Sequence, residues 1–363
     1  MAPVSNVELQ IEAGEASSRR TYFLSSDCEI EPNAEATLVA SLIPCMRRHV
    51  DLSIREPVDQ RLLTSLPTIQ EIYRAWFRVL TPVEIRAEPA PARQPGGSRV
   101  ALFFSGGVDS LFSLYRHLDE ITDLVFVHGF DIRLSHETRR TKASAVFRRA
   151  AEQLGKNFIE IETDYGELIR DFASWPQSHG AALATVAHVL PSSFNRVYIA
   201  STYDYRSLLP WGSHPLLDPL WSSHRLEIVH DGCEAGRLEK VRAIAQHDLV
   251  MKSLRSCWNR DDTNYNCGHC DKCIRTMINL RIAGALDRCE TFPNEIDFWS
   301  VLRETHVNPS SRPFVIENLH GLSKEKNDPD LLRALRLGFF LGRVRGSVAW
   351  LVSRLRAAVN PRR

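Results

Sequence analysis

The stretch Arg99-Val100-Ala101-Leu102-Phe103-Phe104-Ser105-Gly106-Gly107-Val108-Asp109-Ser110 decides how this chain is read. Its apolar half, residues 99–104, has the unbroken character of a strand buried on both faces of a parallel sheet. The glycine-bearing half follows at once, and residues 111–118 then take up a helical pattern. In an open α/β sheet, the turn between a buried strand and its helix is where ligands bind. Paired Gly106 and Gly107 let the backbone turn tightly and bring its N–H groups close to an anion. Ser105 and Ser110 add hydroxyl donors, and the helix that follows aims its positive end at the same point. Together these residues predict a pyrophosphate cradle. The plainer alternative is a Gly-Gly turn in which Asp109 and Ser110 only cap a helix. No lysine follows the glycines and no third glycine completes a dinucleotide fingerprint, so neither of those phosphate loops is present.

Outward from this stretch the same rhythm continues. Residues 124–127, 158–161 and 197–200 are further strand candidates, with a helix predicted over 137–154 and more helical sequence between. Alternating strands and helices predict an α/β fold with a doubly wound, mainly parallel sheet. Before it, residues 81–98 contain four prolines and the pair Gly96-Gly97, which reads as a linker. The expected division is therefore a small N-terminal α/β addition over 1–92, a main α/β domain over 98–290, and a helical extension over 291–363. Within the N-terminal part, short alternating runs at 7–11 and 21–24 and a helix over 69–80 are expected.

A second motif lies downstream. Cys257, Cys267, Cys270 and Cys273 fall within 17 residues, while Cys28, Cys45, Cys233 and Cys289 are scattered. Such clustering favours a metal site in a reducing compartment over a disulfide framework. Four thiolates at this spacing suit tetrahedral Zn2+ in a closed, structural site; an iron–sulfur cluster also accepts four cysteines. His269 reads as an exposed neighbour on the knuckle. The composition contains 45 Lys and Arg against 44 Asp and Glu, so no global field points to nucleic acid or an acidic surface. No signal-peptide core and no apolar run of membrane-spanning length is evident, and a cytoplasmic location is expected.

Ser-Gly-Gly-Val-Asp-Ser behind an apolar strand resembles the PP-loop signature of the N-type ATP pyrophosphatases. The resemblance implies an adenine nucleotide alpha-hydrolase (HUP-like) fold and cleavage of ATP between its α and β phosphates. By matching position, Phe104, Ser105, Gly106, Gly107, Val108, Asp109 and Ser110 would contact ATP, with Asp109 linked to Mg2+. The downstream pattern, ending Cys267-Gly268-His269-Cys270-Asp271-Lys272-Cys273-Ile274-Arg275, narrows the likeness to the 7-cyano-7-deazaguanine synthases. That implies a zinc-bearing ligase that adenylates a small-molecule carboxylate and combines it with a nitrogen donor. Asp109, Ser110 and Lys240 are the candidate catalytic residues. Arg237 and Lys240, at the start of a helix, are read as neutralising phosphate charge or as one solvated helix face; Arg275 is read as an anion contact or an ion-pair partner. Val127-His128-Gly129-Phe130-Asp131 departs from that family's Asp-Tyr-Gly-Gln element, which leaves the substrate open.

Residues 203–206 and 209–215, rich in aromatics and proline with His214, are read as pocket lining or a rigid loop. Cys233 is the one candidate for a sulfur-carrying thiol outside the cluster, or a small buried hydrophobe. From 331 to 363 there are eight arginines and no acids, with Gly338, Gly342 and Gly346 at four-residue spacing and Arg336, Arg343 and Arg354 on one helical face. Such a tail docks on its own domain or touches an anionic membrane surface, a partner protein or RNA, RNA being the less favoured; a homo-oligomer stays open. Two other functions stay open beside the ligase: a tRNA-modifying enzyme that activates a nucleobase for sulfur or amine transfer, and a non-catalytic nucleotide-binding scaffold.

Overall fold

The runs at 99–104, 124–127 and 158–161 are each followed by helical sequence that carries the chain back to the start of the next parallel strand; after 197–200 a long loop with one short helical turn, Asp218–Trp221, does so. The computed structural model describes residues 5–12, 19–92, 96–258, 264–326 and 328–359, leaving out the side chains of 7, 9–12, 19–20 and 346–359. The chain forms two compact units, Met1–Glu234 and Ala235–Arg363.

In the first unit, β1 (Ser5–Glu12) and β2 (Arg19–Ser26) pair antiparallel. Four two-residue strands follow: β3 (Leu52–Ser53), β4 (Val58–Asp59), β5 (Ile85–Arg86) and β6 (Pro89–Ala90), joined as parallel pairs β3 with β5 and β4 with β6. The main sheet is completed by β7 (Arg99–Phe103), β8 (Asp123–His128), β9 (Asn157–Thr163), β10 (Phe194–Ala200) and β11 (Glu227–Asp231). Its order is β1-β2-β9-β8-β7-β10-β11, with β7 to β11 mutually parallel and β2 antiparallel to β9. From β7 the chain steps outward through β8 to β9, then returns to the other side of β7 for β10 and β11. That reversal makes β7 the switch point of the sheet.

Both faces are covered. Ala101, Phe103, Val125, Val127, Ile159, Ile161, Val197 and Ile199 belong to one buried cluster with the helices Ala34–Arg48 and Trp175–Val189. On the alternate residues, Phe126 meets Phe147 of the helix Glu137–Gln153 edge-on at 5.0 Å. The N-terminal segment thus shares the core of the main sheet: β2 extends it and the helix Ala34–Arg48 roofs one face.

Three elements differ from the sequence reading. The helix expected over 69–80 runs Gln60–Trp76, because the Asp59 carboxylate accepts the backbone N–H groups of Arg61 and Leu62 and starts it earlier. The helix Ala34–Arg48 was not anticipated; Pro44 lies inside it and reads locally as a breaker. Nor was β11, whose alternating sequence becomes a strand by pairing with β10.

The second unit is helical among its described residues: Arg237–Ile244, Asp248–Ser253, Asp271–Ile282, Phe298–Glu304, Arg312–Glu325 and Pro329–Val359. Leu238, Ile274, Ile278, Ile282, Val301, Val315, Leu322 and Leu335 form its core. Among the described residues no helix is long and apolar enough to cross a membrane.

Candidate functional site

The 105–110 loop leaves the carboxyl end of β7, between β8 and β10. Phe104 is buried and its N–H donates to the Val125 carbonyl at 2.8 Å, so the strand holds its register up to the loop. Gly106 has φ +68°, and a Cβ there would lie 2.2 Å from Cε1 of Phe147. Only glycine meets both demands, a left-handed backbone and contact with a packed ring. Gly107 is the N-cap of the helix Val108–Arg116, which no side chain caps. Its first turn carries Val108, fully buried, Asp109, half-buried, and Ser110, whose Oγ donates back to the Gly107 carbonyl at 3.1 Å. Seven of the expected ATP contacts, Phe104 to Ser110, therefore share one strand tip and one helix N-terminus.

The helix is anchored at its far end by a residue the sequence did not single out. Asp231, the last residue of β11, accepts from Ser113 Oγ at 2.6 Å and faces His117 Nε2 at 2.9 Å. His117 in turn stacks on Tyr198 at 4.5 Å. These contacts tie the loop's helix to β10 and β11, which fixes the direction in which its N-terminus points.

Beside the loop, a row of rings runs from the end of β8 to the end of β10. Phe130 meets Trp175 at 5.0 Å, Trp175 meets His179 at 6.0 Å, His179 meets Trp211 at 5.8 Å, and Trp211 meets Tyr203 at 5.6 Å. Tyr203 and Trp211 are thus joined to residues from β8 and the helix Trp175–Val189. Tyr205 is exposed, and His214 turns instead onto Trp76 at 4.7 Å. Burial pulls the His179 imidazole below its ordinary pKa.

A buried polar cluster behind these rings was also invisible in the sequence. Asp218, fully buried, receives Ser213 Oγ at 2.6 Å and holds His230 Nδ1 at 2.7 Å. Burial alone would depress the His230 pKa, but its bonds to Asp218 and Cys233 override that and push it up to about 9. The Cys233 thiol, itself buried, donates to Ser201 Oγ at 3.1 Å.

In the second unit, Cys257, Cys267, Cys270 and Cys273 place their Sγ atoms within 4.8 Å of one another, a cluster that can hold a metal ion. Cys257 and Cys270 stand 4.0 Å apart and Cys267 and Cys273 3.9 Å apart. One side chain organises the returning loop: Asn266 Oδ1 accepts from the N–H groups of Ser256 and Cys257 at 2.9 and 3.2 Å. Its Nδ2 donates to the carbonyls of Leu254 and Thr291 at 2.9 and 3.2 Å. Gly268 turns the knuckle at φ +75° against Pro293, and the Cys270 N–H points to Cys267 Sγ at 3.3 Å. Bonding to Cys273 lowers the Cys267 thiol to about 6, while bonds from Cys257, Cys267 and Cys270 drive the Cys273 thiol far up. Four thiolates this close would repel one another, and a cation among them would relieve that repulsion. His269 is exposed, bonded to the Cys267 carbonyl at 2.8 Å, and outside the cluster.

Arg237 and Arg275 both lie against Phe314, at 5.3 and 4.7 Å from the ring centre. Arg275 also pairs with Asp271 at 3.1 Å, which supplies the ion-pair role weighed for it. Lys240 is buried rather than on a solvated face. These residues belong to the second unit and the loop to the first.

Compared with family models, with curated proteins and with solved structures, the chain gives no match.

Proposed function

We propose that the first unit is an ATP pyrophosphatase of the PP-loop, HUP-like kind, and that the chain is an ATP-dependent carbon–nitrogen ligase similar to the 7-cyano-7-deazaguanine synthases. What carries the reading is one observation: the 105–110 loop occupies the tip of the strand at which the sheet order reverses, with a glycine-only turn running into an uncapped helix N-terminus. Such a terminus offers unsatisfied N–H groups and a positive dipole end to an anion.

In this reading the amides of residues 105–108 and the hydroxyls of Ser105 and Ser110 hold the β and γ phosphates of ATP. A substrate carboxylate attacks the α-phosphorus; the α–β bridging bond breaks, and the electrons leave with pyrophosphate. The acyl-adenylate then loses AMP to a nitrogen nucleophile, giving an amide or, after a further dehydration, a nitrile. Mg2+ accompanying ATP supplies charge neutralisation, and Asp109, a half-buried carboxylate in the first turn, is the oxygen ligand this chain offers it. Positioning and charge stabilisation carry the rate, so no covalent nucleophile is required. The row of tilted and edge-on rings between the ends of β8 and β10 would line one side of the acceptor's place.

For the cysteine cluster we propose Zn2+. Tetrahedral thiolates about 2.3 Å from zinc stand roughly 3.8 Å from one another, close to the separations within the two cysteine pairs, and all four ligand positions are filled by protein. Its role is structural, and no chemical step is assigned to it.

The test is AMP and pyrophosphate release from ATP with a panel of small-molecule carboxylates and ammonia. Asp109→Ala and Ser110→Ala are each expected to lower it about 100-fold or more, as removal of one preorganised stabilising group does elsewhere, with the thermal midpoint preserved. Undiminished AMP formation in both variants would defeat the reading.

One observation favours a second reading, nucleobase activation for sulfur transfer: Cys233 follows β11 at the same edge of the sheet and interacts with His230. In the ligase reading Cys233→Ala leaves AMP formation intact; loss of product sulfur in that variant would move the assignment to a sulfur transferase.

A further inference from the structure

Over residues 331–344 the helix Pro329–Val359 has two opposed apolar faces. One is spoken for: Leu331, Ala334 and Leu335 are buried in the core of the second unit. Gly338 and Gly342 continue that face, since a Cβ at Gly338 would lie 2.8 Å from Thr305 Oγ1 and one at Gly342 would lie 2.7 Å from Val307 Cγ2. This close packing matches the expected glycine stripe over its first two members; Gly346 and the side chain of Arg354 lie outside the described side chains.

The other face is exposed. Leu337, Phe340 and Val344 are three and four residues apart, hence on one side of the helix, and are 45%, 65% and 47% accessible. In sequence Val348, Leu351 and Leu355 continue the spacing. Arg336 and Arg343, also exposed, border this stripe. A contiguous apolar stripe on a protein surface marks a contact, and its surroundings select the partner. From 331 onward the chain has eight arginines and no acid. A second copy would bring the same arginines against these, and a nucleic acid would satisfy the arginines but leave three large apolar side chains without a partner. An anionic bilayer meets both requirements: acyl chains take the apolar side chains while arginines beside them reach up to the headgroups.

We propose that the exposed face of this helix docks on an anionic lipid surface, holding the enzyme at a membrane without crossing it. Leu337, Phe340 and Val344 enter the interface, and Arg336 and Arg343 contact lipid phosphates.

The test is co-sedimentation of the full-length protein with vesicles of phosphatidylcholine, with and without phosphatidylglycerol. Binding is expected only with the anionic lipid and to fall as salt rises. Phe340→Ser should weaken it about ten-fold, the order of a buried phenyl ring, and Arg336→Gln and Arg343→Gln about five-fold each. All three side chains are exposed, so the circular dichroism spectrum and thermal midpoint of each variant should match the parent. Absence of sedimentation with anionic vesicles, or sedimentation indifferent to Phe340→Ser, would overturn the proposal. So would a concentration-dependent dimer in light scattering that Phe340→Ser abolishes, which would give the face to a second copy, or an RNA mobility shift lost in the arginine variants without any lipid binding.

Discussion

The glycine loop and the cysteine cluster are built in opposite ways. Residues 105–110 are contiguous, yet what fixes their shape comes from far along the chain: Phe147 behind Gly106, Val125 beside Phe104, and Asp231 at the base of the helix. The cluster draws its ligands from 257–273, and the side chain that shapes it, Asn266, lies within the same span. A loop of the first kind is as good as the sheet under it. A cluster of the second kind carries its shape within its own short span of chain.

The largest effect should come from breaking the local site. Cys273→Ser, which removes the most enclosed of the four thiols, is expected to abolish bound metal in elemental analysis and to destabilise the protein by several kcal/mol, because metal binding and local folding are one equilibrium in such sites. Retention of one equivalent of metal by this variant would show that the cluster does not depend on its full ligand set.

The next prediction sharpens the claim that distant contacts hold the carboxyl edge of the sheet. The folded His230 pKa, about 9, is raised above the ordinary value near 6.5. The protonated imidazole therefore stabilises the fold fully below about pH 6.5, and this contribution is lost as pH climbs through about 9. A shift of this size corresponds to on the order of 3 kcal/mol. Denaturant titrations of the parent and His230→Gln should show a stability gap at acidic pH that narrows with rising pH; a gap independent of pH would mean that the pair with Asp218 carries no such charge.

The smallest expected effect separates backbone strain from packing. Gly106 and Gly155 both have left-handed φ, +68° and +64°, but a Cβ at Gly155 would meet nothing within 4 Å. Gly155→Ala should cost about 1 kcal/mol from strain alone, and Gly106→Ala about 2 kcal/mol more because Phe147 must move. Equal costs in thermal or chemical denaturation would show that the ring yields freely and that the loop is less constrained than the cysteine knuckle.

Legibility in the sequence follows the same division. Four of the five parallel strands could be read: 99–104, 124–127 and 197–200 are apolar with burial on both faces, and 158–161 alternates Ile159 and Ile161 with Glu160. The fifth, β11, is half-polar, with Glu227, His230 and Asp231 in it, and becomes a strand only by pairing with β10. The helix Ala34–Arg48 escaped because Pro44 and a nearly continuous apolar run obscure its period. At the site, the seven residues Phe104 to Ser110 were legible as a motif, as were the four cysteines. Of the ring row only Tyr203 and Trp211 fell in a stretch read as pocket lining; their link to Phe130, Trp175 and His179, like Asp231 and the pair His230–Asp218, joins residues that the sequence keeps apart.

By itself, then, the sequence determined the composition of the two centres: a Ser-Gly-Gly-Val-Asp-Ser turn between an apolar run and a helix, and four thiols whose short spacings bring them around one point. These are short-range facts, decided by backbone freedom at glycine and by the reach of a few peptide bonds. Tertiary structure alone decided that β7 is the strand where the order reverses, that Phe147 fills the space beneath Gly106, and that one helix face at the C-terminal end is left exposed. Strand order and burial depend on which distant surfaces find each other, and no local pattern of residues encodes that choice.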